Sequence, residues 1–220
     1  MIKVEKSPNV PSSLTTTAAY DGQDVVCQLL ADQHDKCYIC ERNRDTDFEI
    51  EHHKSQTNYP DLVQDWDNLY MGCTYCNRKK SSDFDNTLNP KDCPIEDEIE
   101  QRIDFANKKA LFVSRANDAQ HSETIRLLER VFNGTKRIRT TREERFFERV
   151  ISVINKFSDL IICYLNHPDA NTEKAVKDEL AKDKELLGFK YWIIRDTPLL
   201  YEAFAQDIIW NKEQLRNNLG

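Results

Sequence analysis

Two cysteine pairs of the same form organise this sequence: Cys37-Tyr-Ile-Cys40 and Cys73-Thr-Tyr-Cys76. Two thiolates separated by two residues lie on a tight turn and can bind one ion from the same side, and two such turns complete a tetrahedral zinc site. Because four thiolates leave no coordination position open, we expect this zinc to be structural and to stabilise the surrounding fold. Four buried, unpaired cysteines are the alternative, and the repeated spacing argues against it.

The composition limits the class of protein. The chain has 220 residues, a net charge of −7 and 39% hydrophobic residues, which is enough apolar material for a core. Its longest apolar run, residues 160–165, is far shorter than the roughly 20 residues that span a bilayer. The seven cysteines accompany no visible signal peptide, so a disulfide framework is not expected. These features predict a soluble cytoplasmic protein in which any nucleic-acid binding uses a local patch of positive charge.

The sequence pattern divides the chain into three parts. Residues 1–36 contain two prolines and a helix candidate at residues 24–34, which predicts an N-terminal arm followed by a short helix. Residues 37–92 are polar and turn-rich and contain both cysteine pairs. Residues 93–220 are predicted to form a helical domain for packing and partner docking.

Helical periodicity dominates this last part. Apolar residues recur at three- and four-residue steps over residues 142–167, which predicts one long, largely buried helix. Asn171 or Thr172 is a candidate cap for the next helix, predicted to end near Gly188. A last helix is expected over residues 199–215. Together these helices predict a bundle.

Three motifs between and after the cysteine pairs contain side chains suited to chemistry. They are Asp47-Phe48-Glu49-Ile50-Glu51-His52-His53, Asp65-Trp66-Asp67-Asn68-Leu69-Tyr70 and Cys76-Asn77-Arg78-Lys79-Lys80. In the first, apolar residues alternate with acids as in a half-buried strand. The set resembles the HNH endonuclease (ββα-metal) family in its zinc-clasped form. That family combines two cysteines, an acid–His pair, a midway Asn, and two more cysteines followed by His or Asn.

A narrower resemblance is carried by three segments: Ile50-Glu51-His52, Trp66-Asp67-Asn68-Leu69 and Cys73-x-x-Cys76-Asn77-x-x-Lys80. They are similar to the PtuB-like HNH component of retron and Septu-type antiphage defence systems. The resemblance implies a mostly helical α+β fold, with a zinc-clasped ββα-metal core and a C-terminal helical bundle extension. It also implies an effector nuclease that works with an ABC/SMC-like ATPase, and a retron reverse transcriptase with its RNA–DNA product as a further candidate partner.

The implied reaction is metal-dependent hydrolysis of nucleic-acid phosphodiester bonds. His52 is the candidate general base, because an imidazole pKa near ~6.5 suits proton abstraction at neutral pH. Glu51 and Asn77 are the candidate ligands of a catalytic divalent cation, and their oxygen atoms suit Mg²⁺ or Mn²⁺ better than zinc. By resemblance, the amide of Asn68 pins the loop that presents His52.

Two further roles and one ambiguity concern the same motifs. Arg78 or Lys80 is expected to bind phosphate. A regular pleat would place Glu51 and His53 on one strand face and His52 on the other. Either the strand ends at Glu51, so that both neighbours reach the metal, or His53 is the working residue. We favour His52 and keep His53 as the second candidate.

A further run of basic residues lies in the second half of the sequence. The basic run Lys136-Arg137-Ile138-Arg139, continuing to Arg142 and Arg145, is interleaved with Glu143 and Glu144. We interpret it as a solvated helix face rather than a nucleic-acid footprint.

The alternative to a nuclease is a non-catalytic zinc module that binds nucleic acid or a partner protein.

Overall fold

The computed structural model describes residues 1–16, 19–43 and 47–210. Within these ranges the protein is mostly helical with two small antiparallel sheets, which confirms the predicted α+β class. The elements are α1 (Ser12–Thr16), α2 (Gln23–Asp32), β1 (Phe48–His52), β2 (Leu69–Cys73), α3 (Thr74–Lys80), α4 (Ile95–Glu98), β3 (Ile99–Asp104), β4 (Lys109–Ser114), α5 (Ala119–Phe132), α6 (Thr141–Asn166), α7 (Ala170–Glu179), α8 (Leu187–Asp196) and α9 (Pro198–Phe204). None of the helices in the described ranges is long and apolar enough to cross a membrane.

The centre of the molecule is a ββα unit. Strands β1 and β2 pair antiparallel, with Phe48 opposite Cys73 and His52 opposite Leu69. Helix α3 begins directly after β2, and the sulfur of Cys73 serves as its N-cap by accepting the N–H of Cys76 at 3.5 Å. The four residues of the second cysteine motif therefore make the joint between strand and helix.

Helix α6 confirms the long helix predicted over residues 142–167. It opens with a capping box, in which the Thr140 hydroxyl accepts the N–H of Glu143 and the Glu143 carboxylate accepts the N–H of Thr140. This arrangement satisfies two N–H groups that a helix start otherwise leaves without partners. The inward residues of its first half, Phe147, Val150 and Ile154, share one cluster of buried side chains with α5 and with β2–α3 of the ββα unit.

Three expectations for the second half were wrong. The helix expected to end near Gly188 is α7, which ends at Glu179 and is capped by Asp169. Residues 99–114 form a β-hairpin, β3–β4, inside the part predicted to be wholly helical. The alternation that marks β4, with Ala110 and Phe112 buried between exposed neighbours, is short enough to escape a search for helical periodicity. The helix predicted over residues 199–215 ends at Phe204, and its final five residues lie outside the described ranges.

The first seven residues cross from the second half of the chain to the ββα unit. The Met1 ammonium forms a buried ion pair with Glu41 at 2.6 Å, and the N–H of Val4 donates to Pro90 O at 2.9 Å. Further along, Lys6 donates to the carbonyl oxygens of Trp66 and Leu69. The arm is therefore packed into the molecule, and the boundaries drawn after residues 36 and 92 stay predictions.

Candidate active site and metal centre

The four motif cysteines form one cluster. The sulfur atoms of Cys37, Cys40, Cys73 and Cys76 all lie within 4.8 Å of one another, and all four residues are buried. Cys40 Sγ and Cys73 Sγ are 3.9 Å apart, close to the ~3.8 Å edge of a tetrahedron with Zn–S bonds of ~2.3 Å. The residues therefore fit a four-thiolate zinc ion.

Backbone contacts shape the first cysteine turn and attach it to the sheet. The N–H of Cys37 donates to Arg42 O at 3.0 Å, and that of Glu41 donates to Cys37 O at 2.9 Å. Glu41 itself adopts a left-handed conformation with φ of 56°. The N–H of Tyr38 reaches Met71 O in β2 at 3.1 Å. These bonds hold the first cysteine turn against β2, beside the second pair.

Asn68 closes the loop between the strands. Its side-chain oxygen accepts the N–H of Lys54 at 2.7 Å, and its amide nitrogen donates at 3.0 Å to the carbonyls of Lys54 and Leu62. Its backbone carbonyl accepts the N–H of His53 at 2.8 Å. With its side chain buried, one residue therefore holds both ends of the loop that follows β1.

The ring of His52 is held in one tautomer. Its Nε2 lies 3.0 Å from Val63 O, and because a carbonyl only accepts, Nε2 must carry the hydrogen. Nδ1 then presents a lone pair, 3.1 Å from the amide nitrogen of Gln56. Burial lowers the pKa of His52 below its ordinary value, with a smaller lowering from Lys80. The imidazole is therefore neutral at neutral pH, and its Nδ1 lone pair accepts a hydrogen bond from Gln56.

The structure gives Lys80 a different environment from the one expected. Its side chain is 1% exposed, its ammonium pairs with Glu51 Oε1 at 2.8 Å, and it also donates to His52 O at 2.9 Å. Burial raises the pKa of Glu51, and the Lys80 charge opposes that rise. Lys80 thus neutralises a buried carboxylate instead of facing solvent, where a phosphate group would approach.

Asn77 contacts a residue that the sequence motifs did not single out. Its amide nitrogen donates to Glu49 Oε1 at 2.9 Å. Glu49 is two residues before Glu51 in β1, so both carboxylates lie on the strand face covered by α3. That i, i+2 spacing was visible in the sequence and is the signal that could have identified Glu49. The next residue, Arg78, is exposed.

The two adjacent histidines have separate surroundings. β1 continues through His52, so of the two alternatives stated above the strand end at Glu51 does not hold. His53 shares the face of Glu51; its Nε2 lies 3.0 Å from Thr87 Oγ1, and burial lowers its pKa to about 4. Within the described residues, no hydrogen bond joins the His52 ring to Glu51 or Asn77. The structure thus assembles the acid and amide groups on one side of β1 and the His52 ring on the other.

Comparison with known proteins assigns this segment. Residues 37–83 match the family model described as HNH endonuclease. The chain is also similar to the Septu protein PtuB of Bacillus thuringiensis, with 28% identity in a 161-position alignment that covers 61% of each chain. The match thus spans less than two thirds of that relative's length. The matched segment begins at Cys37, includes β1, β2 and α3, and ends three residues after Lys80. Residues 37–83 are therefore similar to an HNH endonuclease domain.

Proposed function

We propose that this chain is a metal-dependent HNH endonuclease that hydrolyses nucleic-acid phosphodiester bonds. In this proposal it is the cytoplasmic effector of a bacterial antiphage defence system. The observation that carries the proposal is the geometry of His52, whose tautomer is fixed by a loop that Asn68 closes inside the HNH segment. The similarity to a Septu protein supports the defence role. A reducing compartment suits both a thiolate metal site and the three further free cysteines.

His52 would act as the general base. Its Nε2–H is fixed on Val63 O, which leaves Nδ1 to take a proton from the attacking water. Gln56 is exposed, so its amide can leave Nδ1 when water takes that position. Asn68 would act as a positioning residue, because it keeps the Val63 end of the loop in place. His53, with its ring enclosed by Thr87 and Tyr70, is the second candidate.

The donor set on the α3 side of β1 fits a hard divalent cation. Glu51 and Asn77 would hold Mg²⁺ or Mn²⁺, with Glu49 beside them, because carboxylate and amide oxygens are the ligands these ions prefer. When bound, the cation would supply Lewis-acid stabilisation of the phosphate charge. The Lys80 ammonium, already paired with Glu51, would keep that carboxylate ionised before the cation binds.

One observation favours the alternative of a non-catalytic zinc module. Glu51 is buried and paired with Lys80, and the His52 ring lies on the opposite strand face. A chain that only binds nucleic acid or a partner would have no need for these groups to meet. The two functions differ in whether any single histidine is required for cleavage.

A cleavage assay on matched variants tests the proposal. Wild type, His52→Ala, His53→Ala and the exposed control His167→Ala would be assayed for bound zinc. Cleavage of plasmid, single-stranded DNA and RNA would then be followed with Mg²⁺ or Mn²⁺. We expect one zinc per chain in all four proteins and loss of cleavage in His52→Ala alone. Equal cleavage by His52→Ala and wild type would contradict the assigned base, and loss only in His53→Ala would transfer the role to His53.

An ATPase partner is the second part of the proposal. We propose that residues 93–220 dock an ABC/SMC-like ATPase, as the similarity to a Septu protein suggests, with a retron reverse transcriptase as the further candidate. Co-expression of the full chain with an ABC/SMC-like ATPase encoded next to it, followed by affinity purification, tests this. A stable complex is expected, and recovery of the full chain alone would contradict it.

A further inference from the structure

We propose that a cationic surface, formed by Arg78, Lys136, Arg137, Arg142 and Arg145, binds the sugar–phosphate backbone of the substrate. This inference rests on the proposed nuclease function. It names the part of the molecule that receives the polyanion, which lies mostly outside the segment matched by the HNH family.

The structure places only part of the basic run on a helix, with Arg142 and Arg145 exposed in the first turns of α6. Residues 136–140 precede α6 and are not helical. Glu143 is buried, caps α6 and pairs with Lys79. Glu144 pairs with Arg139 at 3.5 Å. Both acids that interleave the run are therefore engaged by other partners.

The cations that remain have no such partners. Lys136, Arg137, Arg142 and Arg145 are exposed, and no ion pair joins any of them to another residue in the described ranges. Arg78 on α3 is exposed and equally free of ion pairs within those ranges. Unpaired, exposed guanidinium and ammonium groups are available to exchange their counterions for phosphate oxygens.

Two contacts place the α6 end of this surface, at Arg142, beside α3 of the candidate active site. The Lys79–Glu143 ion pair ties α3 to the first turn of α6. On the same side, the Arg142 guanidinium lies 5.6 Å from the centre of the Tyr75 ring in α3. Arg78 directly follows the candidate cation ligand of that helix. A backbone lying along these side chains would therefore reach the end of α3 where the carboxylates and the amide are assembled.

The local charge also explains how an acidic chain can bind a polyanion. Between Lys136 and Arg145 the sequence has five basic and two acidic residues, although the net charge of the chain is −7. A local concentration of positive charge is sufficient to attract nucleic acid, because screening confines the interaction to about 8–10 Å at physiological salt. The buried Lys80 is not needed for this interaction.

Binding can be measured apart from cleavage in a His52→Ala background. The full-length test proteins carry Lys136→Ala/Arg137→Ala or Arg142→Ala/Arg145→Ala. The control, Lys174→Ala/Lys177→Ala, removes two lysines from α7 that are ion-paired with Asp178 and Glu173, and α7 packs on the far half of α6. Fluorescence anisotropy with labelled duplexes of about 20 base pairs, as DNA and as RNA, and with single-stranded DNA would be recorded between about 50 and 200 mM salt.

The proposal predicts that each test variant binds about tenfold more weakly than its parent. The slope of the logarithm of the binding constant against the logarithm of the salt concentration should be shallower by about two. Each test variant carries two substitutions, and each substitution removes one cation that neutralises a phosphate. The control should bind like the parent, and thermal melting should be unchanged in all variants. Parent-like affinity and slope in both test variants, or no binding by the parent itself, would overturn the cationic surface.

The cleavage assay keeps this outcome separate from the nuclease proposal. If His52 is required for cleavage while the test variants cleave with the KM of wild type, the nuclease stands and the surface fails. If the test variants lose binding and cleave with a raised KM while His52→Ala and His53→Ala cleave like wild type, the surface stands and the assigned chemistry fails.

Discussion

At the scale of single residues, the site depends on a few buried polar side chains whose partners are fully assigned. Asn68 uses its side-chain oxygen and nitrogen on Lys54 and Leu62, and Lys80 uses its ammonium on Glu51 and on a carbonyl. Removing one member of such a set leaves the others buried without partners, which costs more than the hydrogen bond itself contributes. Residue-scale predictions therefore concern stability as well as cleavage.

Asn68→Ala is expected to lower the free energy of unfolding by about 1–3 kcal/mol, because it removes the partners of partly buried backbone groups of Lys54 and Leu62. The cleavage rate of the folded variant should also fall, because the loop that fixes the tautomer of His52 is released. Urea unfolding and single-turnover cleavage on the same preparation would measure both. Wild-type cleavage by a folded Asn68→Ala protein would contradict the positioning role.

Lys80→Met is expected to destabilise the protein by about 3–5 kcal/mol, because it leaves the Glu51 carboxylate buried without its partner. Combining Lys80→Met with Glu51→Gln removes the buried charge, and the double variant should recover part of that loss. A thermodynamic cycle from urea unfolding provides the comparison. A phosphate-binding surface lysine would instead change substrate affinity with stability intact, so the cycle distinguishes the two environments.

At the scale of elements, sequence periodicity and capping predicted the helices better than the short strands. α6 was predicted within two residues at each end because its 26 residues carry a long apolar stripe. The β3–β4 hairpin was missed because each strand has only six residues and its alternation overlaps charged side chains. The N-cap of α7 is Asp169 and not the predicted Asn171 or Thr172. Asp, Asn and Thr are all suitable caps within these four residues, and only the backbone geometry selects one of them.

The first turn of α6 gives a prediction of pH dependence. Burial raises the pKa of Glu143, but the Lys79 ammonium and the N–H and hydroxyl of Thr140 outweigh it and lower that pKa from 4.5 to about 2. Since the unfolded chain binds this proton more readily, the stabilisation is complete above pH ~4.5 and is lost as pH falls towards 2. Melting temperatures of wild type and Glu143→Gln should therefore differ most near pH 7, and the difference should shrink steadily as pH falls from ~4.5 towards 2. A constant difference would contradict this assignment.

At the scale of the whole molecule, the HNH segment and the helical part share one buried core. Cysteines of the metal cluster, Phe84 and residues of α5, α6 and α8 belong to the same cluster of buried side chains. Motif spacing identified the four-cysteine cluster, because each ligand pair is local in sequence. Motif spacing did not reveal the Glu51–Lys80 pair or the relation of α6 to α3, since these depend on contacts between residues 29 and 64 positions apart.

Metal removal should therefore unfold more than the segment that binds the ion. Structural zinc contributes on the order of 10–16 kcal/mol to small metal domains, and the shared core transmits its loss. We expect chelation, or Cys76→Ser, to abolish protection from hydrogen exchange in β1, β2 and α3 and to reduce it in α5 and α6. Hydrogen-exchange mass spectrometry with and without added zinc would measure this. Protection of α5 and α6 that does not depend on zinc would show that the helical part folds independently.

The interactions of Lys6 have a practical consequence for fragment design. Its ammonium is 3.9 Å from the centre of the Trp66 ring and donates to the carbonyls that flank Asn68, while the Trp66 indole N–H donates to Ser7 O. A protein shortened to begin at Cys37 would keep every motif of the HNH segment. It would lack the contacts that Lys6 and Ser7 make with the turn that contains Asn68. If such a fragment were inactive, the cause would be the lost contacts of Lys6 and Ser7, and the result would not bear on the catalytic residues. A fragment meant for cleavage assays should therefore begin at Met1.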